Sequence, residues 1–571
     1  MQTKKFNFLF FIFNCIILLS GLIWIFTNVG FDEEYQICLA NRILQGDELL
    51  VHLWEPHQTS IFVCALLMAL FKAVFKSYTG IVVFLQAVGI VLRLLVSAAL
   101  FWSLKKETEK TPAYLAAVLF FMISPKDFAI PEYSNLQVWF ATACFIFLIE
   151  YFRKQKTAFL ILSAIMLCLE VIAYPSCVIV GVPLVFIIGF YSQKGKKVRD
   201  IIIFSATCFL TGAAVLAFLH FRYGFDYLAG FYRNMVSLEP SHDVSPISKL
   251  LYYGKDFGKI LLIIAAALLI SFIPSFILCK CLEKKADDKK KLFAGLFLLS
   301  SFIVFLIGFL VNILSVKNRC AYCILFLYII GVGFFLRKYL SAEEKRIFDT
   351  GCAISIAGFI ATLILTNLPF MVSGAYLVLA VALSVIPVKR FADTLNVKTV
   401  KTLIFVSGRV FVCLLFLRCV YIRTPMTGRE QICSIFNTDL SLVHSGPAKW
   451  IITDDLGAKK QQVTLEEYKQ YVPEGSEIWI TDGLVDDLGY LYGDYKVATP
   501  SSIPDPKYLP GLNEYWRLHP EKYPDVVICG AYGGELSYDL LKNEWFMDWL
   551  ENDFKPVRYT DGEFYRYYYR E

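Results

Sequence analysis

Long apolar runs broken by short polar stretches make up most of the first 420 residues. A membrane-crossing helix needs about 20 mostly apolar residues. Runs of that kind recur at 6–27, 79–104, 112–124, 136–152, 157–173, 176–192, 200–220, 258–279, 292–315, 320–336, 348–366, 369–387 and 402–420. The pattern predicts a polytopic α-helical body of about 13 spans. No small-residue cleavage site follows the first run, which reads as a retained helix. The run 58–75 is apolar but short and ends in Lys72 and Lys76. Beyond Val420 the long runs stop. Short apolar stretches such as WIITD (450–454), EIWITD (477–482) and DVVICG (525–530) alternate with helix-like segments. That alternation predicts a C-terminal α/β domain with part of its sheet parallel. TLEEYKQYV reads as a helix capped at Thr464, and EFYRYYYR near the end reads as a last, aromatic strand. The chain divides into a membrane body, 1–420, and a soluble domain, 421–571.

Composition agrees. Of 571 residues, 57% are apolar and 18% charged, against about 45–50% and 25% in soluble globular chains. A cytosolic enzyme and a disordered scaffold are excluded. The net charge of +6 conceals a split: 40 Lys+Arg against 24 Asp+Glu up to Val420, then 15 against 25. The body is basic and the domain acidic. Most of the 16 cysteines sit singly in apolar runs, where they act as small hydrophobes. Cys320 and Cys323 form one CxxC without a second pair, weak grounds for zinc.

The run 58–75 fixes the orientation. If it lies in the interface, one set of loops collects 26 basic residues, from Lys4–Lys5 to Lys389–Lys401, against roughly ten on the other side. If it spans, six of the seven basic clusters change sides. The positive-inside rule therefore predicts an interfacial helix at 58–75, a cytoplasmic N-terminus and an extracytoplasmic C-terminal domain in a multi-pass plasma-membrane protein.

The first outer loop, 28–59, carries more titratable groups than a connection needs. It opens with Asp32, Glu33 and Glu34, and later presents His52, Trp54, Glu55, Pro56 and His57. Carboxylates at a membrane surface under apolar walls can act as general bases, while the same run also suits a solvated helix junction. The loop 124–135 adds Lys126, Asp127, Glu132, Tyr133 and Asn135, and the long loop 222–256 adds His242. Lys317 and Arg319, with Tyr322, stand before a late span, where cations suit a lipid phosphate or a headgroup anchor. Arg93 lies in mid-span; scarcity of such charges favours a surface-facing site over a permeation path.

A first span followed by an acidic pair, a long helical outer loop, an interfacial helix and about 13 spans resembles the GT-C superfamily of membrane glycosyltransferases. The layout is similar to that of protein O-mannosyltransferases and lipid A aminoarabinose transferases. The resemblance implies that Asp32-Glu33 holds the catalytic base or the residue that orients the acceptor. It places Glu55 and His57, in the Trp-Glu-Pro-His run, near the lipid phosphate. It gives Arg319, Lys317 and Tyr322 the donor phosphate, and leaves the second acid of the family to Glu132 or to Asn135. Glu55, Asn135 and His242 would then contact acceptor or sugar. The implied reaction moves a hexosyl or pentosyl group, with inversion, from a polyprenyl-phosphate donor to a glycan, lipid or protein acceptor. No cofactor is required by such a donor, though a divalent metal is compatible with the acidic loop. Membrane lipid is an expected partner and nucleic acid is not. A transporter or flippase of lipid-linked sugars is the alternative.

Overall fold

The computed structural model describes residues 8–27, 29–55, 57–125, 129–228, 230, 246–285, 287–315, 321–365, 372–418, 421–426, 429–434, 439–481, 487–502, 509–532, 535–536 and 541–570. The apolar runs become helices: α1 (Phe8–Thr27), α2 (Phe31–Leu44), α3 (Phe62–Phe75), α4 (Ile81–Leu104), α5 (Lys110–Met122), α6 (Tyr133–Lys154), α7 (Thr157–Ala173), α8 (Gly181–Tyr191), α9 (Lys197–Tyr223), α10 (Pro246–Leu282), α11 (Lys289–Ser315), α12 (Ala321–Leu336), α13 (Ala342–Leu365), α14 (Val378–Leu383), α15 (Val385–Asp393) and α16 (Lys398–Arg418). Among the described residues, eight helices are long and apolar enough to cross a membrane, or nine if α1 and α2, bent by 63°, count as one span. Three shorter apolar helices join them. The difference from about 13 lies in pieces too short to qualify alone. α12 has 16 residues, and the stretch from Val372 to Asp393 is broken into a 3-10 turn, α14 and α15.

Ion pairs gather the basic loops at one end of the bundle. Lys106 meets Glu150 at 2.8 Å, Arg346 meets Glu107 at 2.9 Å, and Arg390 bridges Glu109 and Glu344 at 2.7 Å each. Arg337 holds Asp349, Arg199 holds Asp200 and Lys401 holds Asp393. Clusters far apart in sequence thus share one face, as the charge pattern requires. The opposite face carries the C-terminal domain and is called the domain end below.

α3 satisfies the length and hydropathy test for a span, yet both its neighbours sit at the domain end. Before it, Ser60 donates to Gln36 of α2 at 3.1 Å. After it, Gly80 at the start of α4 donates to Gly446 of the C-terminal domain at 3.0 Å. The five residues 76–80 reach at most about 17 Å, too little to recross a core of about 30 Å. Both ends of α3 therefore sit at the domain end of the bundle. Its exposed Phe62, Leu66, Leu70 and Val74 form an i, i+4 stripe toward lipid, while Cys64, Met68 and Phe71 pack inward.

The C-terminal domain is built on a mixed sheet. Its strands are β1 (Tyr421–Met426), β2 (Arg429–Ser434), β3 (Leu440–Leu442), β4 (Ile452–Asp454), β5 (Glu477–Ile480), β6 (Lys496–Val497), β7 (Val526–Tyr532), β8 (Glu535–Leu536), β9 (Arg558–Asp561) and β10 (Tyr565–Tyr569). The order β6-β5-β7-β10-β9 is parallel around β5 and antiparallel around β10. β4 leaves that sheet and pairs with β3. The helix expected to start at Thr464 starts at Asp455 and runs to Tyr471 as α17. Asp454, directly after β4, takes the N-cap position, and Thr464 is buried in the helix interior.

The domain is docked on the first loop. Trp54 of that loop enters the domain's aromatic core with Trp479, Tyr515, Trp516 and Trp549. Its ring meets Tyr515 edge-on with centroids 5.1 Å apart, and its backbone N–H donates to Pro500 at 3.0 Å. Gln45 donates to the Tyr495 carbonyl at 2.8 Å, and Tyr515 to the His52 carbonyl at 3.1 Å. Lys522 reaches Asp47 at 2.9 Å, and Asp47 is also held by Arg42 at 2.7 Å.

Candidate active site

The site begins where α1 ends. After Thr27 the chain turns at Gly30 and starts α2, whose first turn contains Asp32, Glu33 and Glu34. Acids there suit the positive end of the helix dipole. Consecutive positions on a helix face in different directions, so the acids have different partners. Glu33 is fully buried. One oxygen accepts from the Gly30 N–H at 2.9 Å, the other from the N–H groups of Ala129 and Ile130 at 2.9 and 3.2 Å. It caps its own helix and clamps the loop between α5 and α6. Asp32 is only half-buried and accepts from the Tyr133 hydroxyl at 2.8 Å.

The clamped loop does not lie on the surface. A Cβ at Gly89 would fall 1.9 Å from the Ala129 carbonyl oxygen, so only glycine lets the loop backbone approach α4 so closely. Gly89 is eight residues into α4, and Arg93 twelve, or about 12 and 18 Å below its start. The loop is therefore sunk into the helical body. Arg93, a charge in mid-span, donates to Asn135 Oδ1 at 2.7 Å and to the Ser124 hydroxyl, and its guanidinium lies over the Trp24 and Trp139 rings, 5.3 and 6.0 Å from their centroids. The Asn135 amide donates back to the Ile130 carbonyl at 2.8 Å. Glu132 is the N-cap of α6, accepting from the Ser134 and Asn135 N–H groups at 2.7 Å each. A buried cation and two buried carboxylates thereby fix a polar floor.

Aromatic rings wall the floor. His57 stacks on Tyr133 with centroids 4.1 Å apart and rings parallel to 1°, and tilts against Tyr174 at 4.8 Å. Tyr174 continues to Tyr376 at 6.5 Å. Glu55, also buried, accepts from Tyr35 at 2.9 Å. Asp32, Glu33, Glu132, Asn135 and His57 thus belong to one connected set, and Glu55, two residues before His57, is held by Tyr35 of α2. Lys317, Arg319 and His242 lie outside the described residues, as do Lys126, Asp127 and Pro56, while Tyr322 is described only as backbone in the first turn of α12. Tyr174 and Tyr376 escaped sequence reading because tyrosines within apolar runs carry no local signal.

Among the described residues, the one group of His, Cys, Asp or Glu close enough to share an ion is His52, His519 and Glu521, on the docking face. His52 Nδ1 accepts from the Glu48 N–H at 2.9 Å, which leaves the ring proton on Nε2, the atom facing Glu521 at 3.7 Å. A ring in that tautomer donates and does not ligate. Burial holds both imidazoles below the ordinary histidine value, toward the neutral form. Burial works against Asp47 too, but the Arg42 and Lys522 charges outweigh it and keep that carboxyl below its usual range. Burial pushes Glu477 up to about 7, with Lys522 opposing.

No protein family's sequence profile matches the chain, and no curated protein matches it. Among solved structures, it is similar to the Archaeoglobus fulgidus oligosaccharyltransferase tethered to an acceptor peptide containing the NVT sequon, with TM-score 0.46 and 11% identity over 98% of this chain and 74% of that one. The same enzyme in complex with Zn and sulfate gives 0.46 and 11% over 90% and 68%. The archaeal oligosaccharyltransferase AglB from A. fulgidus, with an inhibitory peptide and a dolichol-phosphate, gives 0.43 and 10% over 92% and 70%. Likeness at this level transfers no residue roles, and the site is read from its own geometry.

Proposed function

We propose that the chain is a GT-C-type glycosyltransferase that moves a sugar from a polyprenyl-phosphate carrier to a glycan, lipid or protein acceptor, on the extracytoplasmic face of the plasma membrane. The observation that carries this reading is Asp32. It stands half-exposed over a buried polar floor, with one oxygen oriented by Tyr133, while Glu33 and Glu132 direct their oxygens at backbone N–H groups. A carboxylate oriented in that way can take a proton from an acceptor hydroxyl as that oxygen attacks the anomeric carbon. The carbon–oxygen bond to the lipid phosphate breaks, the electron pair leaves with the phosphate, and the anomeric centre inverts. Arg319, Lys317, Tyr322 and His57 are assigned to the departing phosphate. Glu55, Asn135 and His242 are assigned to sugar or acceptor. Glu33, Glu132 and Arg93 act as positioning residues, since they hold the backbone that carries Tyr133. The basic end faces the cytoplasm, and the docked domain covers the site and receives the acceptor.

The test is sugar release in detergent from radiolabelled polyprenyl-phosphate sugars, comparing wild type with Asp32→Asn. Release by wild type and its loss in the variant supports the assignment. Equal release by both proteins removes Asp32 as the base. No release from any donor, with transport of the same lipid across a sealed bilayer, would replace the transferase with a flippase.

A further inference from the structure

Behind the aromatic wall lies a second polar cavity that the transfer chemistry does not use. It opens between α6, α7, α13 and the start of α14, and its polar lining is Gln137, Glu170, Ser355, Thr142 and Tyr376. Its volume of about 20 Å³ suits one water-sized occupant. Glu170, in the last turn of α7, has no exposed surface, and neither of its carboxylate oxygens has a hydrogen-bond partner. The Cys177 thiol, a weak donor, stands beside both Glu170 and Gln137 and is too weak to balance a buried carboxylate. Gln137 is pinned through its amide nitrogen, which donates to the Gly358 carbonyl at 3.2 Å and to Thr362 at 3.4 Å. Its carbonyl oxygen, also buried and without a partner, is therefore directed away from them. Turning the amide over would set two carbonyl oxygens against each other at Gly358.

Three buried acceptor atoms without partners thus belong to two residues that line one small cavity, and no lining residue is basic. Leaving a carboxylate so placed without a partner is among the costliest arrangements a membrane interior can hold. A proton on Glu170 would turn one of the three into a donor and leave two acceptors for it to serve. A water would supply two and leave the charge in place. A metal cation satisfies all three at once. One negative charge sets its valence, because a divalent ion would leave a net charge buried in a medium of low dielectric.

We propose that Glu170, Gln137 and Tyr376 form a site for one monovalent cation of sodium size, held by the two Glu170 oxygens, Gln137 Oε1 and the Tyr376 hydroxyl. The ion neutralises the carboxylate and fixes Tyr376, whose ring neighbours Tyr174 and through it His57. The site joins α6, α7 and α13 beside the reaction centre and does not depend on the transferase reading.

The test uses the full-length protein in detergent. Thermal unfolding is followed in sodium chloride and in choline chloride at equal ionic strength, for wild type and for Glu170→Gln. The expected result is a wild-type Tm higher in sodium by at least about 2 °C once the salt well exceeds its dissociation constant, with Glu170→Gln giving equal values in both salts. Equal wild-type values in both salts overturn the proposal, as does a sodium increment that persists in Glu170→Gln. Binding of radiolabelled sodium to wild type gives a readout that needs no variant. One ion bound per chain, weakened in Gln137→Leu, supports the site, and none bound overturns it. Neither readout uses sugar transfer, so failure here and failure of the transferase reading remain distinguishable.

Discussion

The two halves of the first loop have similar residues and opposite uses. In the first half Glu33 clamps a sunken loop and Asp32 is oriented by Tyr133, both toward the helical body. In the second half Arg42, Asp47, His52 and Trp54 face the C-terminal domain, where Asp47 meets Lys522 and Trp54 joins a foreign aromatic core. Local sequence cannot separate these roles, because charge near a span end is equally suited to a site, a junction or a docking face. Burial and partner type separate them. Backbone N–H and tyrosine hydroxyl donors orient carboxylates in the first half, whereas ion pairs and ring contacts hold two bodies together in the second.

Substitutions that act on one half only would break or sharpen this contrast. The largest effect is expected from Asp32→Asn, which should lower turnover by about 10²–10⁴-fold, the usual contribution of a positioned base, while Tm stays at the wild-type value. A matching fall in Tm would make Asp32 structural, like its neighbour. Trp54→Ala should destabilise docking by about 3–5 kcal/mol, the usual cost of emptying a buried indole site. Limited proteolysis would read it as faster cleavage between body and domain, with the helical body still intact. Glu33→Gln should cost about 1.5–3 kcal/mol, since charge-assisted bonds to the Ala129 and Ile130 N–H groups are lost. Its turnover should fall through a displaced Tyr133, seen as a lower Tm and a lower rate together.

A smaller effect concerns pH. Glu477 is raised from 4.5 to about 7 in the folded protein, so the folded state binds more protons than the unfolded state between those values. Stability contributed by this group therefore falls as pH rises from about 4.5 to 7 and is constant above that. His52 and His519, depressed by burial, act in the opposite sense: their contribution is present above pH 6.5 and is lost as pH falls below it. Glu477→Gln should remove only the first component. Its Tm relative to wild type should climb across that window in a pH series, and a constant difference would contradict the assignment. The smallest effect is expected at Arg222, whose pair with Glu48 is exposed on both sides. Arg222→Ala should leave Tm unchanged within measurement, because water screens such pairs.

Much of the architecture was legible because its signals are local or additive. Apolar run length marks helices, and the summed charge of loops marks a shared face without knowledge of any contact. That sum favours an interfacial placement of 58–75, where hydropathy alone admits a span. The candidate site was legible only in part. Asp32, Glu33 and His57 announce themselves as titratable groups at a span end, and Arg93 as a charge in an apolar run. Glu170 and Tyr376 lie in runs whose local composition reads as span, and Thr464 offered a capping pattern that the preceding strand overrode.

The sequence by itself determined that this protein is a basic, many-helix membrane body with an acidic α/β domain after it. Hydrophobic burial and charge asymmetry are properties of composition along the chain, and they suffice for that much. Only the tertiary structure decided which carboxylate meets a tyrosine hydroxyl and which is spent on backbone N–H groups, that a loop reaches Arg93 past a glycine, and that Trp54 belongs to the far domain. Those outcomes depend on which atoms of distant segments come within about 3 Å of one another, and no property of a single segment encodes that.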